Sequence, residues 1–323
     1  MSRIAIIDTY TDPKYVTQGT LRHIPLCEDS ITKADGEYIH HGSVCALVLD
    51  RCTNSPYELL NIQALPNKHK AKVFGSIDDL HRALNICIEE NVDIVSMSLA
   101  SSVLSDSRVI YDTAKALSEK AVIVAALDNM MYVSLPTSYP FVVGVQNDWD
   151  NLLEPGDISY KPEDRYCAHT IANCNFGFLR DIRHYPSNSF AVPVVTAWVN
   201  DILNREKLSP QAVMKRLRAK PVYTGEGLRF SDRGMDIPVA VLVYENDDAA
   251  LPCRKVLDGM FKEEIQATAL SVFPGEYDVR IRRTDSAGDI PRELRFMQAH
   301  YKTDIVFVAV RQEELFRFEN EIE

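Results

Sequence analysis

Strand-sized apolar runs alternate with stretches of helical periodicity, which assigns the chain to the α/β class as a mostly parallel sheet with helices on both faces. Two further observations complete the prediction. The 323 residues suffice for one large core and one small one. The alternation stops at a glycine-containing stretch, Tyr223–Gly234, and restarts beyond it. The predicted organisation is a large domain over residues 1–233 and a small α/β domain over 234–323.

The first strand is Ile4–Ile7, closed by Asp8. A helix starts near Gly42 and takes in Val44, Leu47 and Val48. Leu59–Leu65 reads as a strand. Ser76-Ile77-Asp78-Asp79 has the form of a capping box with Asp in the place of Glu, and Ile77, Leu80, Leu84, Cys87 and Ile88 then repeat at helical spacing. Val92–Leu99 is the next strand and Val109–Leu117 the next helix. Ala121–Leu127 is almost purely apolar, the pattern of a strand buried on both faces. Phe141–Val145 is a further short strand. Between Gln146 and Asn188 the pattern weakens and assigns no element. Ser189–Leu203 is an apolar helix, and Ser209-Pro210 caps another that runs to about Ala219. In the C-terminal part, Val239–Tyr244, Val279–Ile281 and Ile305–Val310 read as strands, and Leu251–Glu264 and Ile290–His300 as helices.

Composition narrows the function classes. A net charge of −11 argues against nucleic acid as a partner. No apolar run reaches the length of a membrane span, and the opening Met1-Ser2-Arg3 with Ile4–Ile7 is too short for a signal-peptide core. The expectation is a cytoplasmic protein. Seven cysteines, an odd number without any CxxC, indicate neither a disulfide framework nor a zinc knuckle; Cys45, Cys87 and Cys253 fall in apolar patterns and read as small buried hydrophobes. No spacing of ligands predicts a metal, and no motif predicts a cofactor: neither GxGxxG nor a P-loop follows any strand.

Three segments carry chemistry: Asp8 at the end of the first strand, His41-Gly42-Ser43 at a helix start, and Ser189-Phe190-Ala191-Val192-Pro193 at another. A serine hydroxyl is a weak nucleophile until a base takes its proton. Imidazole suits that task because its pKa lies near neutrality. A carboxylate then fixes the imidazole tautomer and stabilises the imidazolium. Taken singly, each residue has a structural reading: Asp8 as a turn cap, His41 beside His40 as a surface ring, Ser189 as an N-cap. Together, in the order Asp…His…Ser, they match one of the known chain orders of a serine triad.

The set resembles the subtilisin-like serine peptidases. The family's aspartate motif, Asp-Ser/Thr-Gly after an apolar strand, stands here as Asp8-Thr9-Tyr10. Its His-Gly-Thr-His is His41-Gly42-Ser43-Val44. Its Gly-Thr-Ser-Met-Ala-x-Pro is Ser187-Asn188-Ser189-Phe190-Ala191-Val192-Pro193. Ala125-Ala126-Leu127-Asp128-Asn129 matches the strand end that carries the oxyanion asparagine, and Ser98-Leu99-Ala100 matches the substrate-binding Ser-Leu-Gly. Ser138–Val145 looks like the strand that follows. The likeness spans residues 1–220. It implies a subtilisin-like sheet flanked by helices, with Asp8, His41 and Ser189 as the triad, Asn129 as oxyanion donor, and the backbone of Ser98, Leu99 and Ala100 pairing with an extended peptide. It also implies a serine endopeptidase without cofactor, acting on a peptide or protein substrate. The short stretch before Asp8 leaves no room for the family's pro-segment. With the extra C-terminal domain, this points to a selective processing protease, one that removes a leader from a ribosomally made precursor peptide.

Four family glycines are replaced, at Tyr10, Ala100, Asp128 and Ser187. Glycine at such positions often supplies a positive φ or a close backbone approach, so these replacements keep open a second reading, a non-catalytic scaffold of the same fold that binds a peptide or partner. Arg280, Arg282, Arg283, Arg292 and Arg295 offer either a basic patch for an acidic partner or a solvated face with compensated charges.

Overall fold

The computed structural model describes residues 1–27, 39–66, 75–162, 169–225, 237–245, 250–273, 275–284 and 289–312. It divides into two compact units. The first comprises Met1–Ala100, Arg108–Asn129 and Pro136–Leu228; the second comprises Arg229–Glu323 with two short excursions, Ser101–Ser107 and Met130–Leu135. No break in the sequence pattern marks these excursions. The anticipated boundary at 233–234 lies outside the described residues.

The first unit is built on eight strands: β1 (Ser2–Asp8), β2 (Gly19–Pro25), β3 (Tyr57–Gln63), β4 (Ile94–Met97), β5 (Val122–Ala126), β6 (Val143–Asn147), β7 (Ile158–Lys161) and β8 (His169–Ala172). Their spatial order is β2-β3-β1-β4-β5-β6-β8-β7. All pairs are parallel except β7 with β8. The helices of this sheet are α1 (His41–Cys52), α2 (Ile77–Glu89), α3 (Ser107–Ser118), α4 (Gly177–Asp181), α5 (Asn188–Arg205) and α6 (Pro210–Arg218). The α/β class and the mostly parallel sheet are those the sequence predicts. β2, β7, β8 and α4 are additions to that reading. The last three fill the stretch between Gln146 and Asn188 that periodicity left blank.

The topology fixes where a site belongs. After β1 the chain adds β3 on one side, then crosses to place β4 on the other. Strand order therefore reverses around β1, and ligands of open α/β sheets bind in the crevice outside the carboxyl ends of the strands at such a switch point. β1 and β4 end there, at Asp8 and Met97, with Ile7 opposite Met97 in the ladder.

Helix α5 is apolar almost all round, and Phe190, Ala191, Val192, Val194, Val195, Ala197 and Val199 are all buried, as expected of a helix running through a core. It packs with α1 residues Val44, Val48 and Leu49 and with strand residues Ile4, Ile6 and Val124 in one apolar cluster. At the far end of both helices a polar cluster closes the layer. The buried Asp201 carboxylate accepts from the Thr53 hydroxyl at 2.8 Å, the Asn54 backbone N–H at 2.9 Å and the Asn54 side-chain amide at 3.1 Å. Asn200 donates to the same Thr53 oxygen at 2.8 Å. Half of the predicted capping box forms: Ser76 Oγ accepts from Asp79 N–H at 3.0 Å, while the Asp79 carboxylate accepts from the Ser76 hydroxyl at 2.8 Å rather than from its backbone N–H.

The second unit holds four parallel strands, β9 (Val239–Tyr244), β10 (Ala267–Ser271), β11 (Ile281–Arg283) and β12 (Ile305–Arg311), in the order β11-β10-β12-β9, with helices α7 (Ala250–Lys262) and α8 (Ile290–His300). Its core joins Cys253, Leu257, Ala269, Phe273, Phe307 and Ala309. β10 went unpredicted because Ala267-Thr268-Ala269-Leu270-Ser271 is small and weakly apolar, although every residue in it is buried. The third strand begins at Ile281 rather than Val279. Of the five arginines, Arg280 is buried and bonded to Asp258 at 2.7 Å and Asp278 at 2.8 Å, Arg282 is paired with Glu293, and Arg292 lies 3.9 Å from Asp289. Three of the five charges are thus met by carboxylates within the unit, Arg283 donates to the Glu276 carbonyl, and Arg295 is exposed. Among the described residues, no helix is long and apolar enough to cross a membrane.

Removing the Asp201 carboxylate takes its acceptor from the buried Thr53 hydroxyl, which keeps the Ser55 carbonyl at 3.3 Å, and from two donors of the exposed Asn54. Asp201→Ala is expected to lower stability by about 1–2 kcal/mol, read as a lower urea midpoint at unchanged slope. An unchanged midpoint would contradict this account of the cluster.

Candidate active site

Asp8 ends β1 and is fully buried. A buried carboxylate is tolerated only with partners. It has the backbone N–H of Thr9 at 2.7 Å and His41 Nδ1 at 3.0 and 2.9 Å from its two oxygens. The sulfur of Cys45 lies 3.7 Å from Oδ2.

The loop after β1 also anchors the helix that brings His41. The first N–H groups of a helix lack partners within it. Gly42 N–H donates to Thr9 Oγ1 at 2.9 Å, and Ser43 Oγ accepts from Asp12 N–H at 2.8 Å. Gly42 is required by contact: a Cβ there would stand 2.5 Å from the Thr9 carbonyl oxygen. Thr9 therefore holds the carboxylate with its N–H and the imidazole's helix with its hydroxyl.

Ser189 lies in the first turn of α5. Four residues later stands Pro193, which has no N–H to offer the Ser189 carbonyl. That oxygen is instead taken by Ser98 Oγ at 2.7 Å, joining the start of α5 to the end of β4. The Ser189 hydroxyl in turn points to the Ser98 carbonyl, 3.4 Å away. Among the described residues no hydrogen bond joins it to His41. The next side chain, Phe190, stacks on the His41 ring with centroids 5.1 Å apart, and His184 meets the same phenyl ring edge-on at 5.5 Å. His41 is thus packed on the side chain that follows Ser189 and is bonded directly to Asp8.

Asn129 follows β5 and is exposed. Its Oδ1 accepts from the backbone N–H of Asn188 at 3.2 Å, which leaves the amide Nδ2 as a donor beside the start of α5. Asn188 itself is fully buried. Its Oδ1 accepts from Asn147 N–H at 2.9 Å, and its Nδ2 donates to the carbonyls of Leu127 at 3.1 Å and Asp128 at 3.4 Å. It ties the ends of β5 and β6 to the helix start. The chain beyond β4 leaves the ladder at Met97; Ser98 and Leu99 are half-buried and Ala100 is exposed.

Three side chains at this site went unassigned in the sequence: Asn188, Phe190 and Cys45. Asn188 was visible as an amide where the family motif has a hydroxyl. Phe190 was visible as a ring in place of Met. Cys45 was visible as a thiol one helical turn beyond His41. The four glycine replacements carry no backbone strain. Tyr10, Ala100, Asp128 and Ser187 are not among the non-glycine positions with positive φ in the described residues, and Ser187 is fully extended at φ −158°. Tyr10 instead fills the core beside the site, stacked on His23 with centroids 4.9 Å apart.

Burial disfavours a charged imidazole, but the Asp8 carboxylate overrides it and holds the His41 pKa well above the ordinary 6.5. The neighbouring Cys45 thiol is pushed up by its own burial and stays neutral. Burial and the proximity of His41 lower the pKa of His184.

No family model and no curated protein sequence matches the chain. Among solved structures, the prenylagaramide maturation protease PagA is similar over 66% of this chain and 81% of that one, with 17% identity and a TM-score of 0.43. A mutant of the protease domain of PatA is similar over 69% and 92%, with 15% identity and a TM-score of 0.46.

The raised pKa of His41 has a definite sign. The imidazolium–carboxylate pair contributes stability that is fully present below the unfolded value near 6.5 and is lost as pH rises through the higher folded value. Imidazole NMR is expected to show His41 titrating well above 6.5, and Asp8→Asn to bring it down. A wild-type titration at or below 6.5 would contradict the assigned role of the carboxylate.

Proposed function

We propose that the protein is a serine endopeptidase of the subtilisin-like type that cleaves an extended peptide through an acyl-enzyme on Ser189. The observation that carries this reading is the bonded Asp8–His41 pair at the switch point of the sheet, with Ser189 in the first turn of α5 and its neighbour Phe190 packed on the same imidazole.

In the resting state the Ser189 hydroxyl is held by the Ser98 carbonyl. Such hydrogen bonds are often long or misaligned without substrate. Rotation about the Ser189 side-chain bond turns the hydroxyl toward His41 Nε2. Asp8 accepts a hydrogen bond from Nδ1–H and so keeps Nε2 as the free base. His41 takes the hydroxyl proton as Oγ attacks the carbonyl carbon, then returns it to the leaving amine. The oxyanion is received by the backbone N–H of Ser189, one of the first N–H groups of an 18-residue helix, and by Asn129 Nδ2. The backbone of Ser98, Leu99 and Ala100 supports the substrate as an added strand. Because the His41 pKa is raised above the ordinary 6.5, the base is freed only as pH rises through that higher value, and turnover rises with it. The substrate class we assign is a precursor peptide cut at a defined position, with the second unit in partner or substrate recognition.

The bond from the Ser189 hydroxyl to the Ser98 carbonyl favours one other reading, a peptide-binding scaffold without turnover. A fluorophosphonate probe separates the two, since it reacts only with an activated serine. Labelling is expected in the wild type and not in Ser189→Ala. Against a peptide that the wild type cuts, Asn129→Ala is expected to lower kcat on the order of 10²–10³-fold with KM little changed. An unlabelled wild type would establish the scaffold.

A further inference from the structure

The Cys45 thiol has no part in the proton transfers above, yet it faces them. It is buried one helical turn beyond His41. Its sulfur lies 3.8 Å from His41 Nδ1, 3.7 Å from Asp8 Oδ2 and 3.4 Å from Ser98 Oγ. Asp8, His41 and Cys45 form the one trio of potential ligand side chains of this kind among the described residues, with donor atoms all within 4.8 Å of one another. From these distances and this ligand set we infer that Asp8, His41 and Cys45 form an inhibitory binding site for a thiophilic divalent cation, with zinc as the matching ion.

The geometry is close to what zinc needs. Bonds of about 2.3 Å to sulfur and about 2.0 Å to nitrogen or oxygen in a tetrahedron separate the donors by about 3.3–3.6 Å. The two sulfur distances, 3.7 and 3.8 Å, already have nearly that span. The Nδ1–Oδ2 pair at 2.9 Å must open by a few tenths of an ångström, a small hinge of a ring that is 32% exposed. A mixed sulfur, nitrogen and oxygen set suits zinc rather than calcium or magnesium, which prefer oxygen alone.

Binding forms one bond from the metal to each of Sγ, Nδ1 and a carboxylate oxygen of Asp8. The thiol proton leaves to solvent, the ring proton passes through solvent from Nδ1 to Nε2, and no electron is transferred. Water or Ser98 Oγ completes the shell. The neutral ring then keeps its remaining proton on Nε2, the atom that has to accept one from Ser189. The base is blocked and its carboxylate partner is occupied, so the triad is off while the metal is bound. The inhibition rests on the peptidase reading, whereas the binding site does not.

The test uses the full chain and zinc alone. Calorimetric titration at neutral pH is expected to show one equivalent bound with proton release. Cys45→Ala and Cys45→Ser are each expected to weaken binding by more than the ~100-fold that loss of a supporting residue costs. Cobalt in place of zinc is expected to give a sulfur-to-metal charge-transfer band in the wild type and in neither variant. A wild type that binds no zinc, or variants that bind it equally well, would overturn the site. Fluorophosphonate labelling with and without zinc separates this from the peptidase reading. A chain that binds zinc through Cys45 but never labels keeps the site and loses the peptidase. One that labels and is slowed by zinc in the wild type but not in Cys45→Ala supports both.

Discussion

A fully buried carboxylate at the end of β1 is the constraint around which the first unit is arranged. An ionised Asp8 without partners would cost several kcal/mol. The fold supplies those partners from two elements, the Thr9 N–H of its own loop and the imidazole of α1. The second requires α1 to begin where it does. That start is fixed by the Thr9 hydroxyl on Gly42 and by Ser43 on Asp12. The need to neutralise one charge thus sets the position of a helix, and the helix sets the imidazole. What reads chemically as a base and its orienting acid is, structurally, how the sheet tolerates a charge at its switch point.

A second joint has the same logic. Proline inside a helix leaves a carbonyl without its donor. In α5 that carbonyl belongs to Ser189, and the Ser98 hydroxyl beyond β4 accepts the role of donor. The strand end that would support a peptide and the helix start that would attack it are tied by one hydrogen bond. Asn188 makes the corresponding joint on the other side, to the ends of β5 and β6. The position of Ser189 is set by groups that satisfy each other's unpaired polar atoms, the kind of preorganisation the proposed reaction needs.

The strongly apolar strands and helices were readable because burial on one face or two leaves a plain periodic trace, as in Ile4–Ile7, Ala121–Leu127 and α2. The elements that escaped have other means of support. β2 is an edge strand with glycine and proline at its ends and exposed Thr20 and Arg22 between them. β8 buries His169 and Thr170, with His169 bonded to Gln146 at 3.1 Å, and β10 buries mostly small residues. Polar and small residues leave no apolar trace even at full burial. At the site, Asp8, His41 and Ser189 announced themselves as reactive types in order. Asn188 and Cys45 did not, because their partners lie on strands distant in sequence. The replaced glycines, by contrast, drew attention that the backbone does not justify, since no positive φ is needed at any of them.

The place of Cys45 follows from the same burial. A position one turn beyond the imidazole and beneath the carboxylate must be small and able to sit beside charge. Alanine or valine would satisfy the packing and offer nothing to Asp8 Oδ2 or Ser98 Oγ. A thiol is nearly as apolar, yet it can donate weakly to both. Once there, it completes a set of sulfur, nitrogen and oxygen donors that packing alone did not require. In a site where a carboxylate and an imidazole are already held at hydrogen-bond distance, one added soft ligand turns a proton-sharing pair into a chelate. The metal and the shared proton then compete for the same atom, His41 Nδ1. Occupancy by either excludes the other, and through that exclusivity the inferred metal site makes the thiol a control element of the proposed triad rather than a mere filler of the core.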